Sequence, residues 1–162
     1  EREKELIASC NGNLQEAIDE NRRLEHALAT PDLETGTLVE QIRRLCNSML
    51  EIGGITVQLD TSQYKDAMLN QKMKITIYRI AQEQCTNIVK YAGAATVKLS
   101  LSCTDHECKM VIADDGVGVE TSYTTPGIGL MNINSRMSVL KGKTSITTAP
   151  GEGFTLEISF PI

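Results

Sequence analysis

The chain has 162 residues, 41% hydrophobic and 23% charged, with a formal net charge of -5 and an isoelectric point near 5.1. That length suffices for one domain with a real core and a small appendage, and the acidic balance gives no electrostatic reason to bind nucleic acid. No apolar run approaches the roughly 18 residues that span a bilayer, and the charged opening EREKE, without an initiator Met, is expected of an internal piece of a longer protein rather than of a signal peptide.

In chain order, the first segment is helix-like. In "IASCNGNLQEAIDENRRLEHAL", Ile7, Cys10, Leu14, Ala17, Asn21, Leu24 and Leu28 follow alternating steps of three and four, a heptad seam with one polar residue in it. Such a seam suits an amphipathic helix packed on its own domain, or a helix that pairs with a second copy. Asn13 with Glu16 could form a capping box that starts a shorter helix. His26 has no adjacent acid to tune it and reads as a solvated surface histidine. The helix breaks at Thr30-Pro31. A second one follows, with Leu38, Ile42, Leu45, Met49 and Ile52 on one face and Gly53-Gly54 as its stop.

From residue 55 strands and helices alternate. "ITVQL" (55–59) reads as a strand and 70–91 as a long helix. "TVKLSLSC" and "CKMVIADD" form an antiparallel hairpin through "TDHE". The helix "GLMNINSRMSVLKG" ends at Gly142, and the strands "TSITTA" and "FTLEISF" are joined by the turn "PGEG". The expected fold is α/β (α+β): a two-layer sandwich whose mixed, mostly antiparallel sheet carries helices on one face, preceded by a helical segment. The divisions fall at 1–30, 31–54 and 55–162.

The five cysteines, Cys10, Cys46, Cys85, Cys103 and Cys108, are odd in number and scattered, which fits a reduced interior better than a disulfide framework. Cys103, His106 and Cys108 offer three soft ligands. A structural zinc site wants four, usually with CxxC spacing, so a plain hairpin turn is the preferred reading.

Three stretches carry chemistry. In "YRIAQEQCTNIVKYA", Ile80, Ala81, Ile88 and Ala92 form a core stripe, while Glu83, Asn87 and Lys90 form a polar one at i, i+4 and i+7. "DDGVGVE" follows an apolar strand. Its glycines allow close approach of a flat ligand, and an Asp at the strand end suits an exocyclic amino group. "PGIGL" opens a helix, whose free N–H groups form an anion site.

The order of these pieces resembles the GHKL ATPases, and within them the sensor histidine kinases. "RIAQEQCTNIVKYA" resembles their N box, Asp114 to Gly118 the first Gly box and Gly127 to Leu130 the second, while "TAPGEGFTLEISFPI" is similar to their closing strands. The resemblance covers 55–162 strongly and 1–54 more loosely. It implies a Bergerat-type ATP-binding fold, with ATP and Mg²⁺ bound in the cytoplasm. Asn87 would ligate Mg²⁺. Glu83 would orient a water, act as base or polarise the acceptor, and Lys90 would meet phosphate. Asp114 would accept from the adenine amino group beside Gly116 and Gly118. Gly127, Gly129 and the amides of Leu130 and Met131 would hold the phosphates. Tyr91 stands beside Lys90 where those kinases often carry His, and is assigned to the nucleotide site. Phe154 and Thr155 are given no nucleotide role.

The short segment Glu120–Pro126 would be the ATP lid, similar to the compact-lid kinases that pair with helix-turn-helix response regulators. The "HD…Q" acceptor motif of those kinases does not occur here. Residues 1–30 therefore resemble the second helix of a truncated dimerisation hairpin. The resemblance implies transfer of the γ-phosphoryl group of Mg-ATP to a His outside the chain, then to a response-regulator Asp. The implied partners are the phosphoacceptor helix, the response regulator and a second copy through the N-terminal helix. An anti-sigma-type serine kinase or a catalytically silent docking module are the alternatives.

Overall fold

The computed structural model describes residues 36–120 and 127–162, all within one compact unit, Pro31–Ile162. The heptad seam at 7–28, His26, Cys10 and all but the first residue of the expected lid lie outside the described residues.

Helix α1 (Leu38–Cys46) starts at a capping box. The Thr37 hydroxyl accepts from the Glu40 N–H at 3.3 Å, and the Glu40 carboxylate accepts from the Thr37 N–H at 2.9 Å. Asp66 adds a third partner, accepting from the Leu38 N–H at 3.3 Å while it also holds the Tyr64 hydroxyl and the Lys74 ammonium. Burial alone would raise the Asp66 pKa, but these donors together hold it below the usual carboxylate value.

The expected stripe of α1 holds through Leu38, Ile42 and Leu45, all buried, and then slips. A π-helical turn, Asn47–Glu51, follows directly. Its i→i+5 bonds insert one extra residue per turn, so the inward position moves by one. Leu50 is fully buried, whereas Ile52 is 72% exposed.

Strand β1 (Thr56–Asp60) runs parallel to β2 (Thr96–Cys103). β3 (Glu107–Asp114) and β5 (Phe154–Pro161) continue the sheet antiparallel, and β4 (Lys143–Thr148) closes its far edge, giving the order β1-β2-β3-β5-β4. The mixed, mostly antiparallel sheet is the one expected. Alternate residues point to the helices: Val97, Leu99 and Leu101 on β2, Met110 and Ile112 on β3, and Leu156, Ile158 and Phe160 on β5, all buried.

Helix α2 (Gln71–Asn87) is capped by Asn70, whose side chain accepts from the Met73 N–H at 3.0 Å. It lays Ile77, Ile80, Ala81 and Cys85 on the sheet and passes into a second π turn, Ile88–Ala92, stopped by Gly93 at φ 58°. Helix α3 (Ile128–Val139) buries Ile133 and Met137.

The β2–β3 turn is closed by the Thr104 N–H on the Glu107 carbonyl at 2.8 Å. Cys103 and Cys108 face each other from the core side, while His106 is exposed in the turn. Among the described residues no group of three His, Cys, Asp or Glu side chains is placed to hold a metal ion.

Candidate functional site

The sheet alternation that buries Met110 and Ile112 makes Asp114 the next inward residue, at the end of β3. A carboxylate thus occupies a core-facing position, 8% exposed. Burial pushes its pKa above the usual carboxylate value, and the neighbouring Asp115 charge adds to this. N–H groups of Gly116, at 3.0 Å, and Phe154 partly oppose the shift. A carboxyl held by two backbone donors has a fixed orientation and acceptor capacity to spare.

Asp114 looks into a cavity of about 630 Å³, within the usual size of ligand pockets. Helix α2 and its π turn form one wall, with Glu83, Asn87, Ile88, Lys90 and Tyr91. The start of α3 forms the opposite wall through Gly127, Gly129 and Leu130. Gly118, Val119 and Phe154 line the cavity beside Asp114.

At Gly129 the start of α3 packs tightly against α2. A Cβ there would collide with the Glu83 carboxylate and sit 3.5 Å from Asn87 Oδ1. Two oxygen-bearing side chains one turn apart therefore converge on the first turn of α3. That turn begins at Gly127, which has no side chain to cap it, so among the described residues the N–H groups of Ile128, Gly129 and Leu130 are the orphan donors of a helix start. The Asn87 amide donates to Gln84 Oε1 at 3.4 Å, which leaves its oxygen free to accept.

Gly118 has φ +65°, and a Cβ there would overlap the Ala149 carbonyl. Only glycine serves at that position, because the loop after β3 passes under the turn between β4 and β5.

Of the residues singled out from sequence, Glu83, Asn87, Lys90, Tyr91, Asp114, Gly118, Gly127, Gly129 and Leu130 line this one cavity. Two stand apart. The Met131 amide donates to the Gly127 carbonyl at 3.1 Å and its side chain is 59% exposed. Gly116 is buried against Ala92 rather than set on the cavity wall. Phe154, given no role from sequence, lines the cavity because the register sets it directly opposite Asp114. Thr155 pairs with Ala113 and so falls on the other face. The inward phase of the closing strand was the signal for Phe154.

The polar set fits a nucleotide and a hard cation. Mg²⁺ commonly keeps several waters and takes only one or two protein oxygens beside the phosphates, and Asn87 Oδ1 offers one such oxygen.

A sequence profile described as "Histidine kinase-, DNA gyrase B-, and HSP90-like ATPase" matches residues 73–162. The signal transduction histidine-protein kinase/phosphatase UhpB of Salmonella typhimurium is 34% identical over 97% of this chain and 30% of its own length. The sensor histidine kinase MctS of Rhizobium johnstonii is 30% identical over 96% of this chain and 33% of its own. The chain thus spans about a third of the curated relatives it matches. Among solved structures, the blue-light activated histidine kinase of Erythrobacter litoralis superposes with a TM-score of 0.69 at 19% identity, over 91% of this chain and 49% of that one. At that identity the likeness speaks to the fold alone.

Proposed function

The chain belongs to the histidine kinase-, DNA gyrase B- and HSP90-like ATPases, and from that premise we propose that it is the ATP-binding catalytic portion of a two-component sensor histidine kinase. The observation that carries this reading is the convergence of Glu83, Asn87, Asp114 and the uncapped start of α3 on one cavity. Relatives named as histidine kinases match along nearly the whole chain and support the same reading.

In this reading Asp114 accepts from the exocyclic amine of adenine, and Ile88 and Phe154 supply apolar surface to the ring. The polyphosphate lies toward α3, where the N–H groups of Gly129 and Leu130 meet it at a helix start. Lys90 and Tyr91 stand at the cavity rim on the same side as Asn87, and Lys90 supplies positive charge to the phosphates. Asn87 would hold Mg²⁺, and the ion would supply positive charge beside the phosphates. Glu83 has its carboxylate beside the first turn of α3, placed to orient the attacking group or take its proton.

The acceptor is a His of the parent protein outside this chain, and an Asp of a response regulator then receives the phosphoryl group. A second copy of the parent kinase is the proposed dimer partner. Among the described residues no helix is long and apolar enough to cross a membrane; we place the site on the cytoplasmic side of the parent protein.

The test is the parent kinase, with its upstream sequence, incubated with γ-labelled ATP and Mg²⁺. Acid-labile, alkali-stable label on His, lost in Asn87→Ala, is the expected result. Acid-stable label on Ser, or none while ATP still binds, would replace this reading with a serine kinase or a silent docking module.

A further inference from the structure

Asp115, the second acid of the DDG turn, is not part of the cavity lining described above. Its side chain is exposed, yet a single carboxylate oxygen accepts from the backbone N–H groups of both Ala95 and Thr96, each at 2.8 Å. Its own N–H donates to the Thr96 carbonyl at 3.2 Å, and the Val117 N–H donates to the Ala92 carbonyl at 2.8 Å. Between them Gly116 lies against Ala92 so closely that a Cβ would enter its carbonyl.

These contacts strap together two segments about 20 residues apart in sequence. One segment, 92–96, leaves the π turn of α2, the element that carries Asn87 and Lys90. The other, 115–117, leaves β3, the strand that carries Asp114. The strap therefore ties the element that carries Asn87 to the strand that carries Asp114.

We propose that Asp115 is a positioning residue that sets the separation of Asp114 from Asn87. This rests on the nucleotide reading above. A ligand that reaches both sides, with its base on Asp114 and its phosphates beside Asn87, depends on that separation. A nucleoside that reaches only Asp114 does not. The chemistry needs an acceptor at this place and length, not a charge. Asn retains an oxygen for both N–H groups, Ala has none, and Glu carries its oxygens one methylene too far.

The test is binding of Mg-ATP and of adenosine to the 162-residue chain, followed by amide-resolved NMR titration, which reads weak as well as tight binding. Asp115→Ala is expected to lose about tenfold for Mg-ATP and under about twofold for adenosine, as a misplaced binding partner would. Asp115→Asn, which controls for charge, is expected to stay within about twofold of the parent for both. Should Asp115→Ala fail to fold, Asp115→Glu is expected to show the same ATP-selective loss. Equal losses for the two ligands, or no loss, in a folded Ala or Glu variant overturn the positioning role. An unsubstituted chain that binds neither ligand contradicts the nucleotide reading itself, a different result.

Discussion

At the residue scale, Asp114 shows what the site costs the fold. A free Asp titrates near pH 3.9, and in this fold burial lifts Asp114 above that. Between the two values the folded chain keeps a proton that the unfolded chain has lost. The stability contributed by Asp114 is therefore full below about pH 3.9 and is lost as pH rises through the folded value. Asp114→Asn keeps an oxygen for the Gly116 and Phe154 donors and has no proton to lose. In the ligand-free chain, the Tm of the variant relative to the parent should climb from about pH 4 upward and level off once pH has passed the raised folded value. A Tm difference that falls as pH rises would contradict the buried, raised carboxyl. Replacing this buried carboxyl should thus stabilise, as expected where a core-facing position holds a group the fold would not choose. Asp114 was legible in the sequence because it ends an apolar strand beside two glycines. Asp115 was not, since its partners are backbone N–H groups about 20 residues away and no side-chain pattern marks them.

At the element scale, the strands and the span of the long helix were legible, and the π turns that end two helices were not. Alternation of Val97, Leu99 and Leu101 with Lys98 and Ser100 has a single period, so boundaries fell within a residue of the observed ones. Both π turns broke the helical period, which assumes 3.6 residues per turn throughout. The consequence is testable in α1 and its extension. Leu50 fills the core, so Leu50→Ala should cost about 2–5 kcal/mol in urea unfolding. Ile52, on the expected stripe but 72% exposed, should cost no more than about 0.5 kcal/mol as Ile52→Ala. The reverse ranking would mean that the helix runs on in α geometry. Lys90 lies in the second π turn and is exposed where it lines the cavity with Glu83 and Asn87. Met131 was misjudged. Counting residues from the glycines does not show that its N–H is already taken by Gly127, as the first amide past the four orphan donors of a helix start is.

At the scale of the whole molecule, neither composition nor any single motif was decisive. A net charge of -5 disfavours a polyanion partner, yet the cavity is read as holding a polyphosphate. Helix-start amides resolve this, because they supply local positive potential without net charge, and a bound Mg²⁺ would add charge of its own. What was legible was the order of three weak signals, Glu83 with Asn87, Asp114 to Gly118, and Gly127 to Leu130, which the fold draws onto one cavity. The central claim is that this cavity binds Mg-ATP with Asp114 on the base. Isothermal titration of Mg-ATP into the 162-residue chain tests it most directly. The account predicts saturable binding of one nucleotide per chain. It also predicts affinity weakened about a hundredfold in Asp114→Asn, within the roughly 1.5–3 kcal/mol of a hydrogen bond to a charged group. Unchanged affinity in that variant, or no binding by the unsubstituted chain, would contradict it.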